Sequence, residues 1–392
     1  MRVSLLAVAV FVSLIFVGCK KDTDNNKEGV VDAWDTIPMN QIQVLASHNS
    51  YRKKTYQPIF DSVQKLKALF PPNLNPDGWD YTHLPFPEQF NNYGVRSLEI
   101  DIYYDPTGGR FYNRGGMDLV GEPVASGIAV LQQPGYKVLH IPDVDFETQY
   151  YTFKQALQAV KDWSDAHSRH IPIVLYIETK QETAGDRVPV AGFVKGIPYT
   201  AESADELDAE IKSVFGANLD KVITPDKLRG SYATLREATL AGNWPKLKDA
   251  RGKILFTMDG GMEDVYKQGK PSLEGRAMFM FAKSTDTYAA FIIENTAKGN
   301  ETKIANLVRQ GFMVRTRADG GTTEARTGDY SKSIAAFNSG AQIVSTDYYM
   351  PDYRCDTSSI FTCYKVELPG KKAGRISPAF AATVTIDAEL KE

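Results

Sequence analysis

Apolar residues in this chain gather into short runs separated by amphipathic stretches. The clearest runs are QIQVLAS (41–47), VRSLEIDIYY (95–104), YKVLHI (136–141), IPIVLYIE (171–178), GKILFTMD (252–259), AAFIIEN (289–295), GFMVRTRA (311–318) and AQIVSTDYY (341–349). Several are rich in Val and Ile and apolar on both faces, as parallel strands covered on both sides are. Between them the spacing is helical. DFETQYYTFKQALQAVKDWSDAHSRH (145–170) places apolar residues at helical intervals. FPEQFNNYGVR, NETKIANLVRQG and DYSKSIAAFNSG each reach a glycine just before the next run, a common helix stop. Eight strands with helices between them predict a single-domain α/β (β/α)8 barrel of the TIM type over residues 39–368, with 369–392 as a C-terminal tail. The long segments 52–87, 105–135 and 181–250 are then insertions in strand-to-helix connections, over the mouth of the barrel.

The polar residues that interrupt these runs fall at their C-terminal ends, the face where such barrels do chemistry. The first run ends in His48 and Asn49. The second carries Glu99 and Asp101, two residues apart and so on one face of the strand. The third ends in His140, and the fourth in Glu178 followed by Lys180. Three carboxylates converging on one pocket repel one another unless a proton or a cation joins them. With the Asn49 carbonyl they make an all-oxygen donor set, which suits Ca2+ better than zinc. Two histidines beside such a cation suit acid–base work near neutral pH. Each residue alone has a structural explanation, as a satisfied histidine or a salt-bridged barrel lining. Their succession over four consecutive run ends is harder to explain that way. His167 and His170 fall on a helix surface and a helix end, and His83 in a loop; none has an assigned role.

Composition narrows the class. The 45 basic and 48 acidic side chains give a net charge of −3, which leaves no nucleic-acid footprint. A monomer is expected. The first residues, MRVSLLAVAVFVSLIFVGCKKDTDNN, read as a targeting segment: Arg2, an apolar stretch from Leu5 to Val17, then Gly18 and Cys19. The apolar stretch is shorter than the ~20 residues of a membrane span. The pattern resembles a bacterial lipoprotein signal, with 1–18 removed, Cys19 lipidated and 19–38 a tether. That predicts an exported protein held at the cell envelope by a lipid anchor. In such a compartment Cys355 and Cys363, in YRCDTSSIFTC, are expected to form a disulfide.

Together SHNSY (47–51), GVRSLEIDIYYD (94–105), LHIPD (139–143) and IVLYIETK (173–180) resemble the calcium-dependent phosphatidylinositol-specific phospholipase C family, and GAQIVSTDYY (340–349) is similar to the last strand of its bacterial members. The resemblance implies a distorted (β/α)8 barrel. It implies calcium ligands at Asn49, Glu99, Asp101 and Glu178, catalytic histidines at His48 and His140, and Lys180 near the substrate phosphate or head group. The reaction it implies is attack of the inositol 2-hydroxyl on the glycerol-side phosphodiester of a phospholipid, giving diacylglycerol and a cyclic inositol phosphate. Whether the base is His48 or a calcium-bound carboxylate is left open by the sequence. LHIPD lacks the glycine and second histidine of the eukaryotic motif, so the exact inositol phosphodiester is open as well. Asp259, Arg315, Arg317 and Tyr348 end later runs and are candidates for binding the inositol ring. The competing readings are a glycerophosphodiester phosphodiesterase, whose first strand resembles His-Arg-Gly rather than His48-Asn49-Ser50, and a non-catalytic surface lipoprotein that binds glycan or inositol.

Overall fold

The computed structural model describes residues 32–69, 75–188, 190–357, 359–384, 386 and 389–392. Its strands are β1 (Ile42–Ser47), β2 (Val95–Tyr103), β3 (Lys137–Val138), β4 (Ile173–Thr179), β5 (Ile254–Gly260), β6 (Phe279–Met280), β7 (Phe291–Thr296), β8 (Met313–Arg317), β9 (Ile343–Thr346) and β10 (Arg375–Ile376). Eight of them pair in the order β6-β5-β4-β2-β1-β9-β8-β7, all parallel. The two ends of this sheet meet through one parallel bridge, Phe281 to Phe291. With helices packed outside, this is the TIM-type barrel that the alternation of runs predicts.

One strand assignment changes. Of the run 136–141 only Lys137 and Val138 form a strand, and it pairs antiparallel with β2, outside the barrel. The missing barrel member is β6, in AMFMFA (277–282). That segment has no β-branched residue and forms only two residues of ladder, so it gives almost no strand signal. His140 therefore stands on a connection rather than on a barrel strand.

The helices follow their sequence signals. Phe153–Ala166 begins with a capping box: Thr152 Oγ1 accepts from the Gln155 N–H at 3.2 Å, and Gln155 Oε1 accepts from the Thr152 N–H at 3.2 Å. Phe153, Ala156, Leu157, Val160 and Trp163 then face the core. Phe86–Tyr93 stops at Gly94, which takes the left-handed conformation at φ 64°. The segment 181–250 is not one insertion. Ala201–Phe215 is an outer helix that buries Leu207, Ile211 and Phe215 and packs on Phe153–Ala166.

A second, smaller core of Ile59, Phe60, Trp79, Tyr103, Phe111, Leu139 and Phe146 lies apart from the barrel core and joins the connections after β1, β2 and β3. Below the barrel, β10 pairs antiparallel with the start of β1, and Glu392 accepts from the Ile171 N–H and from Arg96 Nε, both at 2.9 Å. No helix among the described residues is long and apolar enough to cross a membrane.

His170, between the helix Phe153–Ala166 and β4, is fully buried. As a neutral imidazole it donates Nδ1–H to the Ile171 carbonyl at 2.6 Å, and Nε2 lies 2.8 Å from the Ser164 hydroxyl. Burial lowers its pKa from 6.5 to about 4. Between those values the native state holds fewer protons than the unfolded chain, so stability falls as pH falls. The shift corresponds to about 3 kcal/mol, fully present above the unfolded value and gone below the folded one. Urea unfolding of His170→Asn between pH 7 and 4 should show a shallower pH slope than the wild type, by up to one proton; an unchanged slope would mean that His170 titrates normally.

Candidate active site

The turn after β1 is knitted to β2. Asn49 takes a left-handed conformation at φ 47°, which Asn tolerates better than most residues. The Ser50 N–H donates to the Glu99 carbonyl at 2.9 Å, and the Glu99 N–H donates to Ser50 Oγ at 2.8 Å. Ser47 Oγ lies 2.6 Å from both Ser50 Oγ and Gln89 Oε1. These bonds set Asn49 at the head of the strand that carries Glu99 and Asp101. The Asn49 side chain donates to the Tyr81 hydroxyl at 3.2 Å, while its buried Oδ1 has no hydrogen-bond partner.

Asp101 stands opposite Glu178 in the β2–β4 register, and one carboxylate oxygen from each of Glu99, Asp101 and Glu178 lies within 4.8 Å of the others. Burial, with repulsion from the neighbouring carboxylates, raises Glu99 to about 8 and Asp101 to about 7. Protein cations partly compensate. Lys180 Nζ is 2.6 Å from Asp101 Oδ2 and 3.8 Å from Glu178 Oε1, and Arg315 Nη2 pairs with Glu99. The surrounding carboxylates hold the Lys180 ammonium charged, with its pKa raised despite burial. Buried Asn49 Oδ1 and Asp101 Oδ1, both without a hydrogen-bond partner, complete an oxygen-only set. These residues fit calcium: a hard dication satisfies the orphan oxygens and keeps the three acids ionised.

Two His–Asp dyads stand beside this cluster. His48 Nδ1 is 2.6 Å from Asp347 Oδ1, which fixes the tautomer and turns Nε2 to within 3.4 Å of Glu99 Oε1. Burial first, and Arg317 second, lower His48 to about 3, so it stands neutral. Arg317 approaches both ring nitrogens at 3.3 Å and Asp347 Oδ2 at 3.1 Å. His140 Nδ1 is 2.5 Å from Asp145 Oδ2. Burial lowers the His140 pKa and the Asp145 carboxylate opposes that. Asp145 is gripped by Arg52 through Nε at 2.7 Å and Nη2 at 2.9 Å.

Asp145 and Arg52 are absent from the residues singled out in the sequence, and Asp347, at the end of the eighth run beside Tyr348, offers itself there as an acceptor for an inositol hydroxyl rather than as the partner of His48. A signal existed for Asp145: a carboxylate five residues after a histidine, across a turn. His83 also belongs here. It sits 2.7 Å from the His48 carbonyl through Nε2 and stacks on Tyr349 at 5.1 Å.

The ring-binding candidates divide. Asp259 stands opposite Glu178 in the β4–β5 register, half-buried, 3.3 Å from the Tyr176 hydroxyl. Arg317 borders His48. Arg315 is buried, held by Glu99 and by Asn295 Oδ1 at 2.6 Å, below the pocket mouth. Tyr348 is buried against Tyr81 and Tyr364, with no open ring face to offer. Cys355 and Cys363 are joined, S–S 2.13 Å, and their loop brings Arg354 within 2.9 Å of Asp80. Cys19 lies outside the described residues.

Residues 37–378 match the family described as phosphoinositide phospholipase C, Ca2+-dependent. No curated protein matches. Among solved structures, the chain resembles the calcium-dependent phosphoinositol-specific phospholipase C of a Gram-negative Pseudomonas species, at 16% identity over 88% of this chain and 96% of that one, with a TM-score of 0.50. The calcium-dependent phosphatidylinositol-specific phospholipase C of Streptomyces antibioticus matches at 17% identity over 80% of this chain and 95% of its own, TM-score 0.46. At such identities the likeness is one of fold. The match over residues 37–378 goes further, and by it the chain belongs to the calcium-dependent phosphoinositide phospholipase C family, a family of phospholipase C-type phosphodiesterases.

Proposed function

We propose that the protein cleaves phosphatidylinositol, or a closely related inositol phosphodiester, on the glycerol side of phosphorus. The observation that supports this best is the pair of His–Asp dyads, each with a buried aspartate and a partly exposed imidazole, beside a three-carboxylate pocket. The inositol 2-hydroxyl attacks phosphorus, and His48 takes its proton at Nε2. Asp347 stabilises the imidazolium so formed and keeps the ring in place. The bond from phosphorus to the glycerol oxygen breaks, and His140, which enters the cycle as an imidazolium with Nδ1–H on Asp145, delivers the proton on its Nε2 to that oxygen. The products are diacylglycerol and a cyclic inositol phosphate; one proton has entered through His48 and one has left through His140. Asn49, Glu99, Asp101 and Glu178 would hold calcium, which when bound would supply positive charge near the attacking hydroxyl and the phosphate. Arg317 and Lys180 add cationic contacts for the phosphate, and Asp259 offers an acceptor for a ring hydroxyl. The reading extends to location: lipid on Cys19 keeps the enzyme at a membrane surface, where its substrate lies.

Glu99→Gln and Asp101→Asn each remove one ligand charge and should weaken calcium binding on the order of tenfold or more. Calorimetric titration checks this, and unchanged affinity in both variants would remove the metal assignment.

His140→Ala should lose about 10²–10⁴-fold on phosphatidylinositol, the range of general acid catalysis. On an inositol nitrophenyl phosphate, whose leaving group needs no proton, the loss should be far smaller, whereas His48→Ala should be poor on both. Equal losses for His140→Ala would leave that residue a role in pocket shape alone.

Mass spectrometry of the membrane fraction should find a diacylglyceryl group on Cys19 as the first residue of the mature chain. A soluble product cut elsewhere would contradict the anchor.

A further inference from the structure

His140 and Asp145 stand on the two arms of a tight hairpin. The Asp145 N–H donates to the Ile141 carbonyl at 2.8 Å, and the Ile141 N–H donates back to the Asp145 carbonyl at 3.2 Å. Asp143 is at its tip, with φ 74°, a left-handed conformation that Asp, Asn and Gly bear best. The residue is buried, 3% exposed, and its side chain reaches away from the hairpin to two other segments. Oδ1 accepts from the Gly115 N–H at 2.7 Å, and Oδ2 accepts from the Val194 N–H at 2.8 Å. The Asp143 carbonyl accepts from the Gly116 N–H at 3.1 Å. One residue thus joins the dyad hairpin to the connection after β2 and to the connection after β4.

The glycines show how close these segments come. A Cβ on Gly116 would stand 2.0 Å from the Asp143 carbonyl oxygen, and one on Gly115 would stand 2.7 Å from the Gly192 oxygen. Neither glycine has room for a Cβ, so the backbones run in close contact, and the carboxylate of Asp143 bonds to both connections from the hairpin tip. Asp143 has no part in the proton transfers described above. The hairpin it caps nevertheless carries the proposed acid and the carboxylate that orients it.

We infer that Asp143 is a positioning residue for the phosphodiester cleavage: by tying the connections after β2 and β4 to the hairpin tip, it sets where His140 Nε2 stands over the leaving oxygen. The inference rests on the proposed acid role of His140. A carboxylate can accept on both oxygens, whereas an amide accepts on one and presents N–H to the other donor. Asp143→Asn therefore keeps the shape and tolerates the left-handed conformation while releasing one of the two segments. Asp143→Gly suits the conformation even better and removes both side-chain bonds, leaving only the Gly116 N–H on the carbonyl of residue 143.

Both variants are assayed in the full chain with calcium. kcat on phosphatidylinositol should fall on the order of 10- to 100-fold, as expected of a displaced catalytic group, with KM little changed and the glycine variant the worse. On the inositol nitrophenyl phosphate kcat should hold, because that leaving group does not call on His140. Limited proteolysis should cut faster within 105–135 or 181–199. Equal losses on the two substrates would reveal a general defect of the site and overturn the inference, as would no loss on either. Should the wild-type protein turn over neither substrate, the functional reading fails, and proteolysis decides the link itself: wild-type protection in both variants would sink it.

Discussion

Arg52 carries a full charge with no exposed surface, and the site is arranged around its satisfaction. Its guanidinium binds both oxygens of Asp145, the hydroxyl of Thr55 and the carbonyls of Trp79 and Tyr81. Burial alone would lower its pKa; the Asp145 carboxylate reverses that and raises it. In return Asp145 is held anionic, well below the usual carboxylate range, and can orient His140. Removing one partner of a buried pair typically costs 3–5 kcal/mol, because the other charge is left uncompensated. The Arg52 N–H also donates to the Asn49 carbonyl at 2.9 Å. One buried cation therefore spans the distance between the cation-binding turn and the second dyad.

The mouth as a whole is a balance of close charges in a dry setting. Glu99, Asp101, Glu178, Asp145 and Asp347 face Arg52, Lys180, Arg315 and Arg317. Lys180 and Arg315 reach into the carboxylate cluster from opposite sides of the chain sequence, yet three acids within 4.8 Å still leave two of them with raised pKa values. This is an environment where a divalent ion gains more than it would in water, since few competing dipoles screen it. The same dryness keeps His48 neutral and available to accept a proton.

The barrel and half of the site could be read from the sequence for a simple reason. Buried parallel strands announce themselves as apolar runs, and polar residues at their ends stand out against that background. His48, Asn49, Glu99, Asp101 and Glu178 all lie at such ends. The rest depends on pairings that no local pattern carries. Arg52 meets Asp145 across 93 positions and His48 meets Asp347 across 299. Strand β6 escaped because two residues of ladder made from Phe and Met look like any apolar stretch. His170, read only as a helix-end residue, lies among the polar Ser168 and Arg169, and nothing local shows that its ring faces inward.

The bridge between Phe281 and Phe291 gives the ring of strands a weak joint. Strands β4, β2, β1, β9 and β8, which bear the three carboxylates, Arg317 and, at their ends, the His48–Asp347 dyad, form the unbroken middle of the sheet order, whereas β6 and β7 close it at the far side. Fluctuations that part the ring will begin where the ladder is shortest, since local opening follows the least-bonded elements. The barrel can breathe there like a split collar while the five strands that carry the chemistry keep their register.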